Sequence, residues 1–178
     1  MKNTSLNSIR AALVAGLALV ATPLFILPAH ATPQSGVVSL TLAQGILDDI
    51  DILTKTDIDP GPAKDFWKAV IRTKGVSHLF VVQNTVVPGG SFGWHSHPGP
   101  TLVFVVSGTA TEYHGDDPTS TPLFHPAGSV FIDGGEDAGH LVRNDGSVNL
   151  VVIAVRLFPD GVAPRIDLPN PGYSPTLN

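Results

Sequence analysis

Cysteine is absent from the 178 residues of this chain. Disulfides therefore cannot hold the fold together, and its stability must come from side-chain packing and from any metal ion that the fold binds. Attachment of a lipid to a cysteine behind a leader segment is excluded for the same reason.

Basic residues are also scarce, and they form no cluster. Ten lysines and arginines stand against fifteen acidic residues, which gives a net charge of −5 with neutral histidines. Proteins that bind nucleic acid or anionic lipid through their charge usually carry a basic patch. The composition argues against both partners, and we expect the partner to be a small molecule.

The first 31 residues have the pattern of a secretory signal. Lys2 and Arg10 precede an apolar run over residues 11–27, and Ala29-His30-Ala31 supplies the small-x-small end. We expect cleavage after Ala31 and a periplasmic or secreted mature protein, residues 32–178, without stable membrane insertion. An uncleaved anchor is the alternative, which Pro23 disfavours by interrupting the run. Loss of Lys2 and Arg10 leaves eight basic against fifteen acidic residues, a net charge of −7.

The mature segment has the length of a single domain, and its pattern is that of an all-β protein. Short runs rich in Val, Leu, Phe and Thr alternate with Pro and Gly. The runs predict strands at 37–42, 66–72, 78–87, 93–97, 102–106, 109–113, 130–132, 140–143 and 150–156. Ser107-Gly108 predicts a tight hairpin turn, and residues 44–50 are the one place where a helix is plausible. The proline-rich tail, residues 159–178, predicts an extended strap over the surface.

One pattern carries most of the chemistry: Gly89-x5-His95-x-His97-x3-Thr101-x6-Gly108. Residues two apart in a strand point the same way, so His95 and His97 can offer two imidazoles to one ion. A third histidine, His140, follows some forty residues later. The arrangement predicts a metal site.

This spacing resembles the first signature motif of the cupin superfamily, G-x5-H-x-H-x3,4-E-x6-G, and departs from it only in having Thr101 at the glutamate position. The second cupin motif, G-x5-P-x-G-x2-H-x3-N, is matched in part by Gly128, His140 and Asn144. Gly134 stands in place of its proline, and residues 134–139 are one residue longer than the motif. The resemblance covers about residues 76–155.

The resemblance implies a fold and a ligand set. It implies a single-domain jelly-roll β-barrel of two antiparallel sheets, commonly as a homodimer, with one divalent metal held by His95, His97 and His140. Because Thr101 supplies no carboxylate, the resemblance implies a three-histidine centre that keeps the full +2 charge of the ion. Such a centre favours an anionic or chelating substrate or a bound hydroxide. Fe, Mn, Ni, Cu and Zn all accept imidazole, so the metal identity stays open.

The acidic residues near these motifs need their own interpretation. Glu136 precedes His140 and could replace the missing carboxylate, although a solvated loop acid is the simpler prediction, and we apply the same interpretation to Asp133, Asp137 and Glu112. Thr101 could hydrogen-bond a metal-bound water. The remaining mature-chain histidines match no ligand position and are predicted to be structural: His78, His114 and His125.

Two functions from different classes follow. The first is a metal-dependent oxidoreductase, such as a dioxygenase, acting on a small chelating substrate. The second is a non-catalytic module that binds or senses a small ligand. A cupin fold cannot decide between them, because one fold supports unrelated chemistries. The sequence assigns no catalytic acid or base.

Overall fold

Short extended segments rich in β-branched and aromatic residues build this fold, which we describe from a computed structural model. The structure describes residues 31–57, 66–135 and 138–172. The regular elements within these ranges are strands: β1 (Ser35–Leu47), β2 (Asp51–Asp57), β3 (Phe66–Arg72), β4 (Ser77–Ser96), β5 (Thr101–Ser107), β6 (Thr109–His114), β7 (Leu123–Pro126), β8 (Val130–Asp133), β9 (His140–Arg143), β10 (Leu150–Pro159) and β11 (Ile166–Asp167). In the same ranges, no helix has the length and apolar character needed to cross a membrane.

Nine of these strands form one antiparallel sheet that curls into a nearly closed jelly-roll barrel. The strand order is β7-β6-β9-β4-β10-β5-β8, and β1 and β11 also pair with β4. The other two strands, β2 and β3, form a small separate sheet. The all-β jelly-roll fold predicted from the sequence is therefore confirmed.

The long strand β4 joins the two halves of the barrel. Its first half pairs with β1 and β10, whereas its second half pairs with β9 and β11. A register shift between Ser91 and Trp94 marks the change, and Gly93 sits there with φ +72°. A Cβ at this position would collide with the carbonyl oxygen of Thr32, so only glycine fits. The chain that follows this bend places His95 and His97 inside the barrel.

Alternating side chains fill the barrel interior. In β5, Thr101, Val103 and Val105 are buried, whereas the residues between them face outward. Strand β10 repeats the alternation. Among the largest fully buried side chains are Leu150 and Val86, each contributing about 1.5–3 kcal/mol relative to exposure. The apolar core supports one end of the cavity that the histidines line.

The helix predicted at residues 44–50 is wrong. Residues up to Leu47 continue β1, with Gln44 opposite Phe80 and Leu47 opposite Ser77 of β4. A seven-residue helix is marginal in water, whereas the edge of β4 offers a complete ladder of backbone partners. Tertiary pairing therefore overrides the local preference.

The hairpin predicted at Ser107-Gly108 is also wrong. Strand β5 ends at Ser107 and β6 begins at Thr109, but β5 pairs with β10 and β8, whereas β6 pairs with β7 and β9. Gly108, with φ +75°, turns the chain from one half of the barrel to the other. The two predicted strands at 78–87 and 93–97 are likewise one continuous strand, β4.

Candidate metal centre

Three histidines converge inside the barrel at the end of β4. His95 lies in β4 and His97 follows the last residue of that strand, and His140 begins β9 directly opposite His95. Their residues are 3%, 5% and 6% exposed, and one ligand nitrogen of each lies within 4.8 Å of the other two. The structure thus brings together the three residues that the sequence predicted, and they form a group that could hold a metal ion.

The Nδ1 atom of each of these rings already has a hydrogen-bond partner. The carbonyl oxygen of Gly93 lies 2.9 Å from Nδ1 of His95, and that of Pro164 lies 2.7 Å from Nδ1 of His97. Oε1 of Glu112 lies 2.8 Å from Nδ1 of His140. An oxygen of this kind can only accept, so each Nδ1 carries the proton and donates. In its neutral form, each ring then presents the lone pair of Nε2, which is how metal-binding histidines are usually oriented.

The partner of His97 comes from the C-terminal segment. Strand β11 pairs with the end of β4, placing Ile166 opposite Ser96 and Asp167 opposite His95. This pairing brings the carbonyl of Pro164 against the ring of His97, and Arg165 donates to the carbonyl oxygen of Phe92. The C-terminal segment therefore helps to orient a candidate ligand.

Unpartnered polar atoms surround the histidines. The buried side-chain atoms without a hydrogen-bond partner among the described residues include Thr101 Oγ1, Asp133 Oδ2, His140 Nε2 and Arg156 Nε. All four residues line one cavity, together with His95 and His97. Buried polar groups are normally satisfied, so this concentration fits a site built for an ion and a small ligand.

Asp133 and Glu112 are not the solvated acids that we predicted. Asp133 is 9% exposed and Glu112 is 3% exposed. Glu112 lies on the inward face of β6 and contacts His140 through Oε1 and His125 through Oε2, each at 2.8 Å. Asp133 follows the buried Phe131 by two residues in β8, and the same alternation turns it inward. Glu136 and Asp137 lie outside the described residues.

The two carboxylates dominate the electrostatics of the centre. Burial opposes protonation of His140, but the adjacent carboxylates of Asp133 and Glu112 raise its pKa to about 9. Burial raises the pKa of Asp133, yet the contacts with His140 outweigh this and lower it to about 2. At neutral pH a proton on His140 therefore sits between two carboxylates. A bound metal cation would replace this proton and its positive charge.

The other two histidines stay neutral. Burial, followed by repulsion from His140, lowers the pKa of His95 well below its usual value. Burial, followed by repulsion from Arg156, lowers the pKa of His97 to about 4. Both rings are therefore in the protonation state that a metal ligand requires.

A polar row crosses three neighbouring strands beside the histidines. Thr101 of β5 lies opposite Arg156 of β10 on one side and opposite Asp133 of β8 on the other. Burial, followed by repulsion from Arg165, lowers the pKa of Arg156 to about 10, which still leaves the guanidinium charged at neutral pH. The row places a positive and a negative group on either side of Thr101.

The match to a family model agrees with this fold. Residues 83–156 match the family model of the cupin domain. A cupin-like protein of Thermotoga maritima is 22% identical, with TM-score 0.44, over 52% of this chain and 65% of that one. A cupin superfamily protein of Desulfitobacterium hafniense is 16% identical, with TM-score 0.44, over 68% of this chain and 77% of that one. The Mn(II)-containing oxalate decarboxylase of Bacillus subtilis is 26% identical, with TM-score 0.43, over 51% and 24%.

The family match defines the class of domain that this chain contains. Residues 83–156 are a cupin domain, and the fold is the cupin jelly roll. It spans less than two thirds of the Thermotoga maritima protein and about a quarter of the oxalate decarboxylase. No curated protein matches its sequence.

Proposed function

We propose that this cupin binds one divalent transition metal through His95, His97 and His140 and works as a metal-dependent oxidoreductase, of the dioxygenase type, on a small anionic chelating substrate. One observation carries the proposal. All three rings have Nδ1 engaged by an acceptor while their other nitrogens converge in a cavity with unpartnered polar atoms. A purely structural histidine cluster would have no need of this common orientation.

The charge of the cavity supports an anionic substrate. The buried Nε atom of Arg156 has no hydrogen-bond partner among the described residues, and its residue lines the cavity beside the histidines. A guanidinium binds a carboxylate through two parallel hydrogen bonds. A substrate with one oxygen for the metal and a carboxylate for Arg156 would satisfy both positive groups.

A bound divalent metal would supply Lewis acidity and, if redox-active, access to dioxygen chemistry. The protein residues supply orientation and shape. Glu112 and the carbonyls of Gly93 and Pro164 hold the rings, whereas Phe92 and Phe131 contribute apolar walls that limit the water around the site. The ligand set itself does not select among Fe, Mn, Ni, Cu and Zn.

A non-catalytic binding or sensing role is the second candidate, and one observation favours it. The buried acids near the histidines lie against the ligand rings: both oxygens of Glu112 contact histidines, Oδ1 of Asp133 accepts from the Gly135 N–H, and its Oδ2 lies 3.1 Å from Nε2 of His140. Among the described residues of the cavity, a carboxylate that is clear of the histidines and could serve as a general base is therefore absent. A reaction here would depend on the metal alone, whereas ligand binding needs no base.

Oxygen consumption separates the two candidates. Protein purified with its native metal is assayed for dioxygen uptake with diketones, thiols and catechols. The oxidoreductase proposal predicts uptake with at least one of these classes and its loss in the His95→Ala/His97→Ala variant. Tight ligand binding without any uptake would favour the sensing role instead.

A further inference from the structure

Thr101, the position at which the cupin motif carries glutamate, lies directly opposite an aspartate on the neighbouring strand. Strands β5 and β8 pair Thr101 with Asp133, and both side chains are buried on the inner face of the barrel. Directly opposed residues of an antiparallel pair have Cβ atoms about 4.5–5.5 Å apart. A carboxylate at position 133 can therefore reach the space that a glutamate at 101 would occupy.

Distances within the cavity place one oxygen of this carboxylate beside the ring nitrogens of two of the three histidines. Oδ2 of Asp133 lies 3.1 Å from Nε2 of His140 and 3.4 Å from Nε2 of His97. With metal–ligand bonds of about 2.1 Å, adjacent donor atoms lie about 3.0 Å apart in an octahedral complex and about 3.4 Å apart in a tetrahedral one. Both distances match donor atoms that share one ion.

The alignment of these atoms is that of neighbouring ligands rather than of a hydrogen bond. Although Oδ2 and Nε2 of His140 are close, neither atom has a partner with hydrogen-bond geometry among the described residues. In a shared metal site, each donor lone pair points at the ion and away from the next ligand. The other oxygen, Oδ1, accepts from the Gly135 N–H at 2.8 Å, which fixes the carboxylate with Oδ2 turned inward.

We propose that Asp133 is the fourth protein ligand of the metal, a carboxylate moved from β5 to the adjacent strand β8. The centre is then three histidines and one aspartate rather than the three-histidine set expected from the sequence. The aspartate lowers the charge of the metal–ligand group from +2 to +1, and Arg156 restores a second positive charge for an anionic substrate. This inference rests on the proposed metal binding at the histidines, but not on catalysis.

Co(II) binding to purified full-length protein tests the assignment, by competition with a chromophoric chelator and by the visible spectrum of the bound ion. Asp133→Asn keeps the size of the side chain and removes the charge. We expect the Co(II) affinity to fall about 100-fold or more, since the loss of even an outer partner costs 10–100-fold. The visible spectrum should change with the donor set. The control variant Asp51→Asn makes the same change on the exposed sheet of β2 and β3 and should keep both properties.

A second, relocation variant, in which the carboxylate is moved back to β5, tests the inference by a gain in Co(II) affinity rather than by a loss. In Thr101→Glu/Asp133→Asn the carboxylate returns to β5, and we expect recovery of at least about tenfold in Co(II) affinity over Asp133→Asn alone. Asp133→Asn with affinity within about threefold of the native protein and an unchanged spectrum would overturn the inference. If Asp133→Asn does not fold, a relocation variant that folds but binds Co(II) no better than His95→Ala overturns it equally. Retention of Co(II) by His95→Ala would instead refute the metal binding proposed for the histidines.

Discussion

Oε1 of Glu112 lies 2.8 Å from Nδ1 of His140. Among the three histidines of the candidate centre, this ring is the one oriented by a carboxylate, since backbone carbonyls orient the other two. The bond makes Nε2 of His140 the donor that faces the cavity. It also adds a negative charge that favours a cation at the centre.

Replacement of this carboxylate should weaken metal binding without removing a ligand. We expect Glu112→Gln to lower the affinity for Co(II) by about 10–100-fold, measured by chelator competition. The matched control is His125→Phe, which deletes the contact with Oε2 but keeps the ring stack on Phe131. It should stay within about threefold of the native protein. An equal loss in both variants would contradict the specific role of the His140 contact.

The pH dependence of metal affinity follows from the pKa values of the three histidines. His140 has its pKa raised to about 9, whereas that of His97 is lowered to about 4 and that of His95 lies well below its usual value. Between about pH 5 and 9 a metal ion therefore displaces one proton, which comes from His140. The affinity should fall about tenfold for each unit that the pH drops below 9.

Calorimetric titrations in buffers of different ionisation enthalpy count this proton directly. About one proton released per metal at pH 7 is the expected result. Release of two or more protons at pH 6 would contradict the neutral state of His95 and His97, and release of none would contradict the protonated state of His140.

Substitution of glycine by alanine in β4 should destabilise the protein more at Gly93 than at Gly89. Gly93→Ala adds a Cβ that collides with the Thr32 carbonyl oxygen at a positive φ, so we expect a loss of at least about 2 kcal/mol in the free energy of unfolding by urea. Gly89→Ala has a similar φ of +76° with no atom within 4 Å of the added Cβ. This control should lose only about 1–2 kcal/mol. Equal losses would show that the contact with Thr32 does not matter.

Arg156 should control the binding of anions to the metal-loaded protein. Malonate serves as a probe that can reach both the ion and the guanidinium. We expect Arg156→Gln to weaken malonate binding by about 10–100-fold, the range for hydrogen bonds to charged groups, with the metal affinity changed much less. The control is Arg72→Gln, whose native guanidinium pairs with Asp51 on the exposed sheet of β2 and β3. Equal effects in both variants would argue against Arg156 as the anion site.

Local pattern was sufficient for much of the barrel. The strands at 66–72 and 140–143 were predicted at their observed bounds, because each is a short β-rich run between turn residues. Strands β2 and β7 were missed, as was the two-residue β11 within the predicted strap. Asp51–Asp57 carries charges at both ends, and Leu123–Pro126 is only four residues long, so the pairing that forms them is visible only in three dimensions.

The candidate site, like the fold, was predicted only in part from the sequence. The positions of His95, His97 and His140 follow from spacing, and the structure brings them together as expected. The inward orientation of Glu112 and Asp133 was missed, although period-two alternation from Phe131 could have placed Asp133 on the inner face. The pairing of Thr101 with Asp133 could not be predicted, because β5 and β8 are brought together by tertiary structure.

Other predictions from the sequence stay predictions. The signal segment falls on residues 1–31, of which 1–30 lie outside the described residues, and export depends on it. Pairing of two copies and the absence of nucleic-acid partners likewise await experiment.

Metal content tests the central claim most directly. Full-length protein isolated from its native host is analysed by elemental mass spectrometry beside the His95→Ala/His97→Ala variant, with circular dichroism to confirm that both are folded. We predict close to one equivalent of a single transition metal in the native protein and about a tenth of that or less in the variant. A folded variant with the same metal content as the native protein would contradict the account.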